Sequence, residues 1–338
     1  MKILFILKDR FYNQSKNSYG LINSSRQVAE FLETIGYECK VVQVVDYNAI
    51  DKELFQYKPD VVIIEALWVT GAKMKELIEI KRYQNIKWIV RVHSDAGFLA
   101  AETMAFKYIN DYIELHKPNF YVSMNNEDFN NYAGIALDNS FLYLPNIITI
   151  KHHRKTHKNK NYMDVGCFGS LRILKNQCYQ ALCAMDAAER LGKTLRFHIT
   201  VDVNMTNTSV LYPVLKNLEE IFEYSRHELV KHYWLDNSEF HELIREMDIG
   251  LQLSYTESFN IVAADFVVND VPIVVSDAIG WMPSFMKTST VEYEKTIRKI
   301  MWIYRLRKWK FLTRWSKAKL IKFNATAKLI WTNALIHL

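Results

Sequence analysis

The sequence predicts an α/β protein built of two successive parallel-sheet domains. Three observations predict it: the chain length, an alternation of short apolar runs with amphipathic stretches, and a restart of that alternation after a basic mid-chain segment. At 338 residues the chain is long for one compact core, so two domains of ordinary size are expected. With 49% hydrophobic residues there is apolar surface enough for two cores, which excludes wholesale disorder.

The first half supplies the strand signals in order. Lys2–Leu7 is a short apolar run, and Cys39–Val45, Asp60–Ile64, Trp88–Val92 and Phe120–Met124 follow it, each apolar or β-branched. Between the first two, Leu21, Ser25, Val28, Ala29, Leu32 and Ile35 recur at helical spacing before Gly36. Helical stretches near Lys73–Tyr83 and Leu99–Leu115 separate the later runs, and Phe141–Leu144 ends at Pro145-Asn146. Strands alternating with helices imply βαβ units and a mostly parallel sheet. After residue 162 the pattern restarts with strand runs at Asp164–Phe168, Arg196–Val201, Ile249–Leu253 and Pro272–Ser276. Helices are expected over Lys175–Leu191, over Ser238–Met247 with a serine N-cap, and over Ser258–Val268. Domains are therefore drawn at 1–150 and 163–290, joined by a basic linker at 151–162 and followed by a helical extension, 291–338.

Composition narrows the function classes. Four cysteines, Cys39, Cys167, Cys178 and Cys183, lack metal or redox spacing and read as reduced buried thiols. The N-terminal apolar run stops at Lys8-Asp9-Arg10, and no apolar run reaches the ~18 residues of a membrane span, so a cytoplasmic location is expected. No Gly-x4-Gly-Lys-Ser/Thr loop or Gly-x-Gly-x-x-Gly occurs, which removes support for kinase, ATPase and dehydrogenase readings. The net charge of +6 hides an asymmetry: twelve Lys/Arg and no Asp/Glu lie between Lys295 and the C-terminus, leaving 31 basic against 37 acidic residues before it. A second basic run, Lys151 to Lys160, includes Arg154 and Lys155. Such segregation points to an anionic partner.

Three segments carry chemistry. In Met247-Asp-Ile-Gly-Leu-Gln-Leu-Ser-Tyr-Thr-Glu-Ser-Phe-Asn-Ile-Val-Ala-Ala-Asp265 a strand ends near Ser254, a loop carries Glu257, and a helix is expected from Ser258. The N–H groups of Ser258, Phe259 and Asn260 would then form an anion site suited to a pyrophosphate. Glu257 is placed to accept from sugar hydroxyls, and Asp265, two turns on, from a ribose. In Gly166-Cys-Phe-Gly-Ser-Leu-Arg-Ile-Leu-Lys-Asn-Gln177 a glycine turn at Gly169 brings backbone near a ligand. Arg172 can clamp a diphosphate with two N–H groups, and Lys175 adds a point charge; the same pair also reads as solvated cations at a helix start. In Trp88-Ile-Val-Arg-Val-His-Ser-Asp-Ala-Gly97 a strand runs into His93. No Asp-x-Asp pair stands in a metal-binding context. His152, His153 and His157 lie in the basic linker, and no metal or other cofactor is expected.

The Glu257–Asp265 segment resembles the Glu-x7-Glu motif of retaining glycosyltransferases with the GT-B fold, particularly glycosyltransferase family 4, with Asp265 where the family usually has its second Glu. The resemblance covers residues 1–290 and implies two Rossmann-like domains facing across a cleft. It assigns Arg172 and Lys175 to the donor diphosphate and His93 to the neighbourhood of the transferred sugar. Gly20 matches the glycine-containing loop near the donor phosphates, although the usual Gly-Gly is absent. It further implies a nucleotide diphosphate sugar as donor (UDP-glucose first), retention at the anomeric carbon, and metal-independent chemistry.

The tail leaves three readings open. Its cations, among them Arg305, Lys308 and Arg314, alternate with Trp302, Trp309, Phe311, Trp315 and Phe323. The helices can pack back on both domains with solvated cations, lie on an anionic membrane, or follow a DNA backbone together with Lys151, Arg154 and Lys155. The sequence also resembles phage-encoded glycosyltransferases in its compact length, its Arg91-Val-His-Ser94 segment and its Asn/Lys/Tyr-rich usage. That implies a hydroxymethylated base of phage DNA as acceptor, extruded from the stack. The alternatives are a membrane-surface enzyme building a cell-surface glycan and a non-catalytic binding protein.

Overall fold

The computed structural model describes residues 1–9, 20–150, 161–202 and 212–338. The expected contacts of Lys151, Arg154 and Lys155, and the linker histidines, lie outside the described residues. The chain divides into two compact units. Among the described residues, unit 1 takes in 1–9, 20–149 and Asn324–Leu338, and unit 2 those between 150 and 323.

Unit 1 runs β1 (Lys2–Lys8), α1 (Gly20–Thr34), β2 (Glu38–Val44), α2 (Ile50–Tyr57), β3 (Val61–Glu65), α3 (Gly71–Glu79), β4 (Lys87–Val92), α4 (Ala96–Leu99), α5 (Ala105–Ile113), β5 (Phe120–Met124), α6 (Glu127–Ala136) and β6 (Leu142–Tyr143). Its six strands pair in parallel in the order β2-β1-β3-β4-β5-β6. All five residues of β3 are buried, as expected of a parallel strand covered on both faces. The stretch read as one helix near Leu99–Leu115 divides into α4 and α5, because the Asp95 side chain caps an earlier start by accepting from Ala96 N at 2.8 Å.

Unit 2 runs β7 (Tyr162–Cys167), α7 (Gln177–Arg190), β8 (Thr194–Val201), α8 (Tyr212–Glu223), β9 (Glu228–Tyr233), α9 (Asn237–Glu246), β10 (Ile249–Gln252), α10 (Ile261–Val268), β11 (Ile273–Ser276), β12 (Lys287–Thr288) and α11 (Tyr293–Leu306). The last helix, α12, is Lys310–His337. The parallel order β9-β8-β7-β10-β11-β12 is the doubly wound 3-2-1-4-5-6 order, whose direction reverses between its first and fourth strands. The cap of α9 is Asp236, which accepts from Glu239 N while Glu239 reaches back, a reciprocal box; Ser238, expected as the cap, donates to Asp236 Oδ1 at 2.8 Å.

Two glycines fix how α10 sits. Gly250 on β10 registers with Gly166 on β7, and the fully buried Phe266 of α10 lies over both. A Cβ at Gly250 would stand 2.7 Å from Phe266 Cδ1 and Cε1, and one at Gly166 2.7 Å from Phe266 Cζ. Helix and sheet approach this closely because neither strand carries a side chain there.

The extension expected at 291–338 is not a separate body. Leu312, Ser316, Leu320, Asn324, Ala327, Trp331 and Leu335 form a buried stripe along α12. In unit 2, Lys317 pairs with Asp270 at 2.8 Å and Phe323 packs on Phe259 at 5.0 Å. In unit 1, Asn324 brackets Ile148, accepting from its N–H at 3.0 Å and donating to its carbonyl at 2.7 Å. Trp331, fully buried, donates to Pro145 O at 2.8 Å. No helix among the described residues is long and apolar enough to cross a membrane.

Candidate functional site

In unit 2 the loops after β7 and β10 leave adjacent strands at the point where strand order reverses. Ligands of open α/β sheets lie outside the carboxyl ends of strands at such a point. Gly169, two residues past β7, has φ +103, a conformation that costs an L side chain but not glycine. Arg172 opens a single 3₁₀ turn at Ile173–Lys175, and Asn176 in the left-handed region (φ +59) leads into α7. Arg172 and Lys175 therefore flank a tight turn instead of opening the helix.

Glu257 is 5% exposed at its side chain and forms a short ion pair with Lys175 Nζ through Oε1. Asn260 Nδ2 donates to the same Oε1 at 2.8 Å and to Gln252 Oε1 at 2.9 Å, and Gln252 Nε2 donates to Phe168 O at 2.9 Å. On the other side, Gln180 Nε2 donates to Lys175 O at 2.7 Å, while its Oε1 accepts from Leu253 N at 3.0 Å. Lys175, Glu257 and Asn260, separate candidates in the sequence, thus form one network spanning both loops. Gln252 and Gln180, which tie it to the strands, were not legible as site residues. Ser254 Oγ and Gln177 Oε1, buried beside these loops, have no protein hydrogen-bond partner; such groups call for an explanation.

The helix start differs from expectation. α10 begins at Ile261, and Ser258 and Phe259 belong to the preceding loop. Asn260 is the N-cap, held at φ +65, with its side chain accepting from Ala263 N at 2.8 Å. The helix-start N–H groups are accordingly those of Ile261 and Val262. Phe259 is buried, with its carbonyl accepting from Trp281 Nε1 at 2.8 Å and its ring stacked on the same indole. Asp265 faces α9, where its Oδ1 lies 3.5 Å from His241 Nε2. Asn269 Oδ1 accepts from Arg245 at 3.0 Å, so its Nδ2 donates to His241 Nδ1 at 2.6 Å. Burial pushes the Asp265 carboxyl up to about 8.

Unit 1 carries a second constellation past β3, β4 and β5. Arg91 and Glu65, both fully buried, pair at 3.2 Å. Arg91 also donates to Leu144 O at 2.9 Å and to Asn146 Oδ1 at 2.8 Å. His93 Nε2 makes a short bond to Glu65 Oε2. Burial raises the Glu65 carboxyl, but Arg91 and His93 outweigh it and hold Glu65 below the ordinary carboxylate value. Burial lowers the His93 imidazole, against the opposing pull of Glu65 and with the Arg91 charge adding to it. A neutral His93 donating from Nε2 has its lone pair on Nδ1, which accepts from Asn125 Nδ2 at 3.3 Å. That assignment leaves Asn125 Oδ1, on a residue only 3% exposed, without a protein partner. Glu65, Arg91 and Asn125 were missed in the sequence. The available signal was a lone charge at the end of an apolar run, as in Val61–Glu65 and Trp88–Val92. Gly20 is the first residue of α1.

The tail cations divide. Arg307 pairs with Asp248 at 3.1 Å, Lys317 with Asp270, Lys295 with Glu292 at 3.2 Å and Arg298 with Glu294 at 2.6 Å. Arg305 on α11, Lys308 between the helices and Arg314 on α12 are exposed. Among the described residues no cluster of three His, Cys, Asp or Glu side chains is placed to hold a metal ion.

No protein-family profile matches the chain, and no curated protein matches it in sequence. Solved structures match its fold. The sucrose-phosphate synthase of Thermosynechococcus elongatus is similar with a TM-score of 0.74 and 12% identity, over 99% of this chain and 98% of that one. The E. coli trehalose-6-phosphate protein bound with UDP-2-fluoro glucose gives 0.67 and 10%, over 99% and 98%. A trehalose-6-phosphate synthase described in connection with glycosyltransfer with retention gives 0.61 and 12%, over 86% and 78%. The chain has the GT-B fold, with two parallel six-stranded α/β units.

Proposed function

We propose that the protein is a retaining, metal-independent glycosyltransferase that takes a sugar from a nucleotide diphosphate donor, UDP-glucose being the first to test. The observation that carries this reading is the Lys175–Glu257–Asn260 network at the point where strand order reverses in unit 2. A carboxylate and an ammonium held together there match a ligand with sugar hydroxyls on one side and phosphate charge on the other. The similarity in fold to a protein bound with UDP-2-fluoro glucose supports a UDP-sugar.

In the proposed reaction the bond between the anomeric carbon and the β-phosphate oxygen breaks, and its electron pair leaves with the nucleotide. The acceptor hydroxyl forms the new bond on the same face and gives its proton to the departing phosphate oxygen. Arg172, Lys175 and the α10 N-terminus stabilise the charge that develops on the phosphate. Glu257 orients the sugar by accepting from its hydroxyls, and Asp265 accepts from the ribose. His93 and the unpartnered Asn125 Oδ1 contribute polar groups past the strands of unit 1.

For the acceptor we propose a hydroxyl of a glycan or lipid-linked sugar in preference to a DNA base. What favours it is the tail, where four cations are bound to acids of the chain and the outward ones are interleaved with exposed tryptophans. A Glu257→Ala variant tests the donor chemistry: folding should be retained and UDP-glucose turnover lost, because hydrogen bonds that strengthen in the transition state are removed. Turnover near that of the native enzyme would remove Glu257 from the site and the reading with it.

A further inference from the structure

The C-terminal part of unit 2 carries an aromatic surface that the proposed chemistry does not use. Trp302 on α11, Trp309 in the connection and Phe311 on α12 are 40%, 60% and 46% exposed. Phe285 joins them into one cluster, its ring 6.5 Å from both Trp302 and Phe311, while Trp309 meets Phe311 at 5.9 Å. One turn along α12, Trp315 is 58% exposed. Scattered single apolar residues on a surface need no explanation, but a contiguous cluster of large rings does. The rings are not there for want of a core: the opposite stripe of α12 is already filled by Leu312, Ser316 and Leu320.

The charge around this cluster has one sign. From Lys295 onward the chain has no acidic residue, and the acids of earlier segments that meet the tail, Glu292, Glu294, Asp248 and Asp270, are paired with Lys295, Arg298, Arg307 and Lys317. Lys310, Arg314, Lys319 and Lys322 share the exposed face of α12 with Phe311 and Trp315, as spacings of three and four residues require. Lys299 Nζ sits 5.3 Å over the Trp302 ring.

We propose that this face docks on an anionic lipid bilayer, with the rings entering the headgroup level and the cations meeting lipid phosphates. Aromatic rings and basic residues together on a helix of modest overall hydrophobicity match an interfacial position. A single-stranded nucleic acid would also meet cations and rings, but bases stack on separated, open ring faces. Here the rings occupy each other's faces edge-on, at 72° for Trp309 with Phe311 and 81° for Phe285 with Trp302. Trp302, Phe285, Phe311 and Trp309 therefore form one clustered apolar patch, with Trp315 a turn further along α12, instead of a ladder of platforms. The inference concerns where the enzyme proposed above works, yet it rests on the surface alone, so its failure leaves the donor chemistry standing.

The test is flotation of the full chain with vesicles of phosphatidylcholine, with and without phosphatidylglycerol, and with oligo-dT as competitor. Binding is expected only to the anionic vesicles. Trp309→Ala with Trp315→Ala should weaken it at least about tenfold, with melting temperature and vesicle-free UDP-glucose hydrolysis unchanged. Lys310→Gln should weaken it about fivefold. If the native chain does not float with anionic vesicles, or the tryptophan pair changes nothing, the proposal is overturned. It is equally overturned if oligo-dT displaces the vesicles and its own binding falls with the tryptophans, which would identify a nucleic-acid platform.

Discussion

Replacing Gly250 by Ala probes the link between packing and the site. The added Cβ would lie 2.7 Å from Phe266 Cδ1 and Cε1 and 3.0 Å from Ile273 Cγ1, far inside van der Waals contact. Phe266 is fully buried and also covers Gly166, so the ring has no open side to which it can retreat. Overpacking of this kind costs about 1–3 kcal/mol, offset by about 0.4–1 kcal/mol from the stiffer unfolded chain. A net loss of about 1–2 kcal/mol should lower the melting temperature of unit 2 by roughly 2–8 °C. The relief should show in a double-mutant cycle. Phe266→Leu alone leaves a void, but combined with Gly250→Ala the two losses should fall short of additivity by about 0.5 kcal/mol or more. Because Asn260 and Glu257 immediately precede the helix that Phe266 anchors, the single variant should also bind UDP more weakly, and the double variant should recover part of that loss. Additive melting temperatures, with unchanged UDP affinity in all three variants, would refute the claim that this slot sets the helix and the site.

The remaining predictions concern the donor. Lys175→Ala and Arg172→Ala should each weaken UDP binding by about 1.5–3 kcal/mol by calorimetry, with activity surviving EDTA; strict dependence on a divalent cation would show another means of holding the diphosphate. Burial sets the Asp265 carboxyl at about 8 in the folded chain, well above its ordinary value, so the fold favours the protonated form and its stabilising contribution is lost as pH rises toward and through 8. Ribose hydroxyls need the ionised form, so donor affinity should rise over the same window, and Asp265→Asn should flatten both trends. A pH-independent difference between the two proteins would place Asp265 away from the ribose.

Much of the fold was legible because its signal is local. Apolar runs of strand length, separated by helical periodicity, place the strand runs Lys2–Leu7 and Asp164–Phe168 within two residues of the ends of β1 and β7. Helix starts were less legible, and for a physical reason. Asp236 and Asn260 hold their caps through side-chain bonds to backbone three residues on, and in each case a nearby serine is an equally good cap by composition. The Glu257 and Lys175 candidates were legible because their loops follow strand-like runs. Gln252 and Glu65 were not, since an isolated amide or acid at the end of an apolar run reveals its partner only when a second strand is placed beside it, and Gln180 reads as one more polar residue of the α7 helix. The Asn125 oxygen lay further out of reach. Its unpartnered state follows from the orientation of His93, which follows in turn from a carboxylate on a third strand.

A buried ion pair contributes little net stability compared with apolar residues of the same shape, so the Lys175–Glu257 pair needs another reason to exist. Glu257 is almost fully buried; Asn260 donates to its carboxylate, and Gln180 fixes the Lys175 backbone by donating to its carbonyl. Those supports do not depend on the pair itself: Asn260 is locked by its cap bond to Ala263, and Gln180 by Leu253 N. On the proposed reading, an arriving diphosphate draws the ammonium toward itself, and Glu257 keeps its amide donor while losing its charge partner. Its carboxylate then has capacity for sugar hydroxyls that it lacked before. Phosphate binding and sugar orientation become one coupled event, arranged in advance by groups that do not move. The same logic accounts for Asn260 adopting a left-handed conformation that glycine would take more easily: only a side chain there can cap the helix and hold the carboxylate at once.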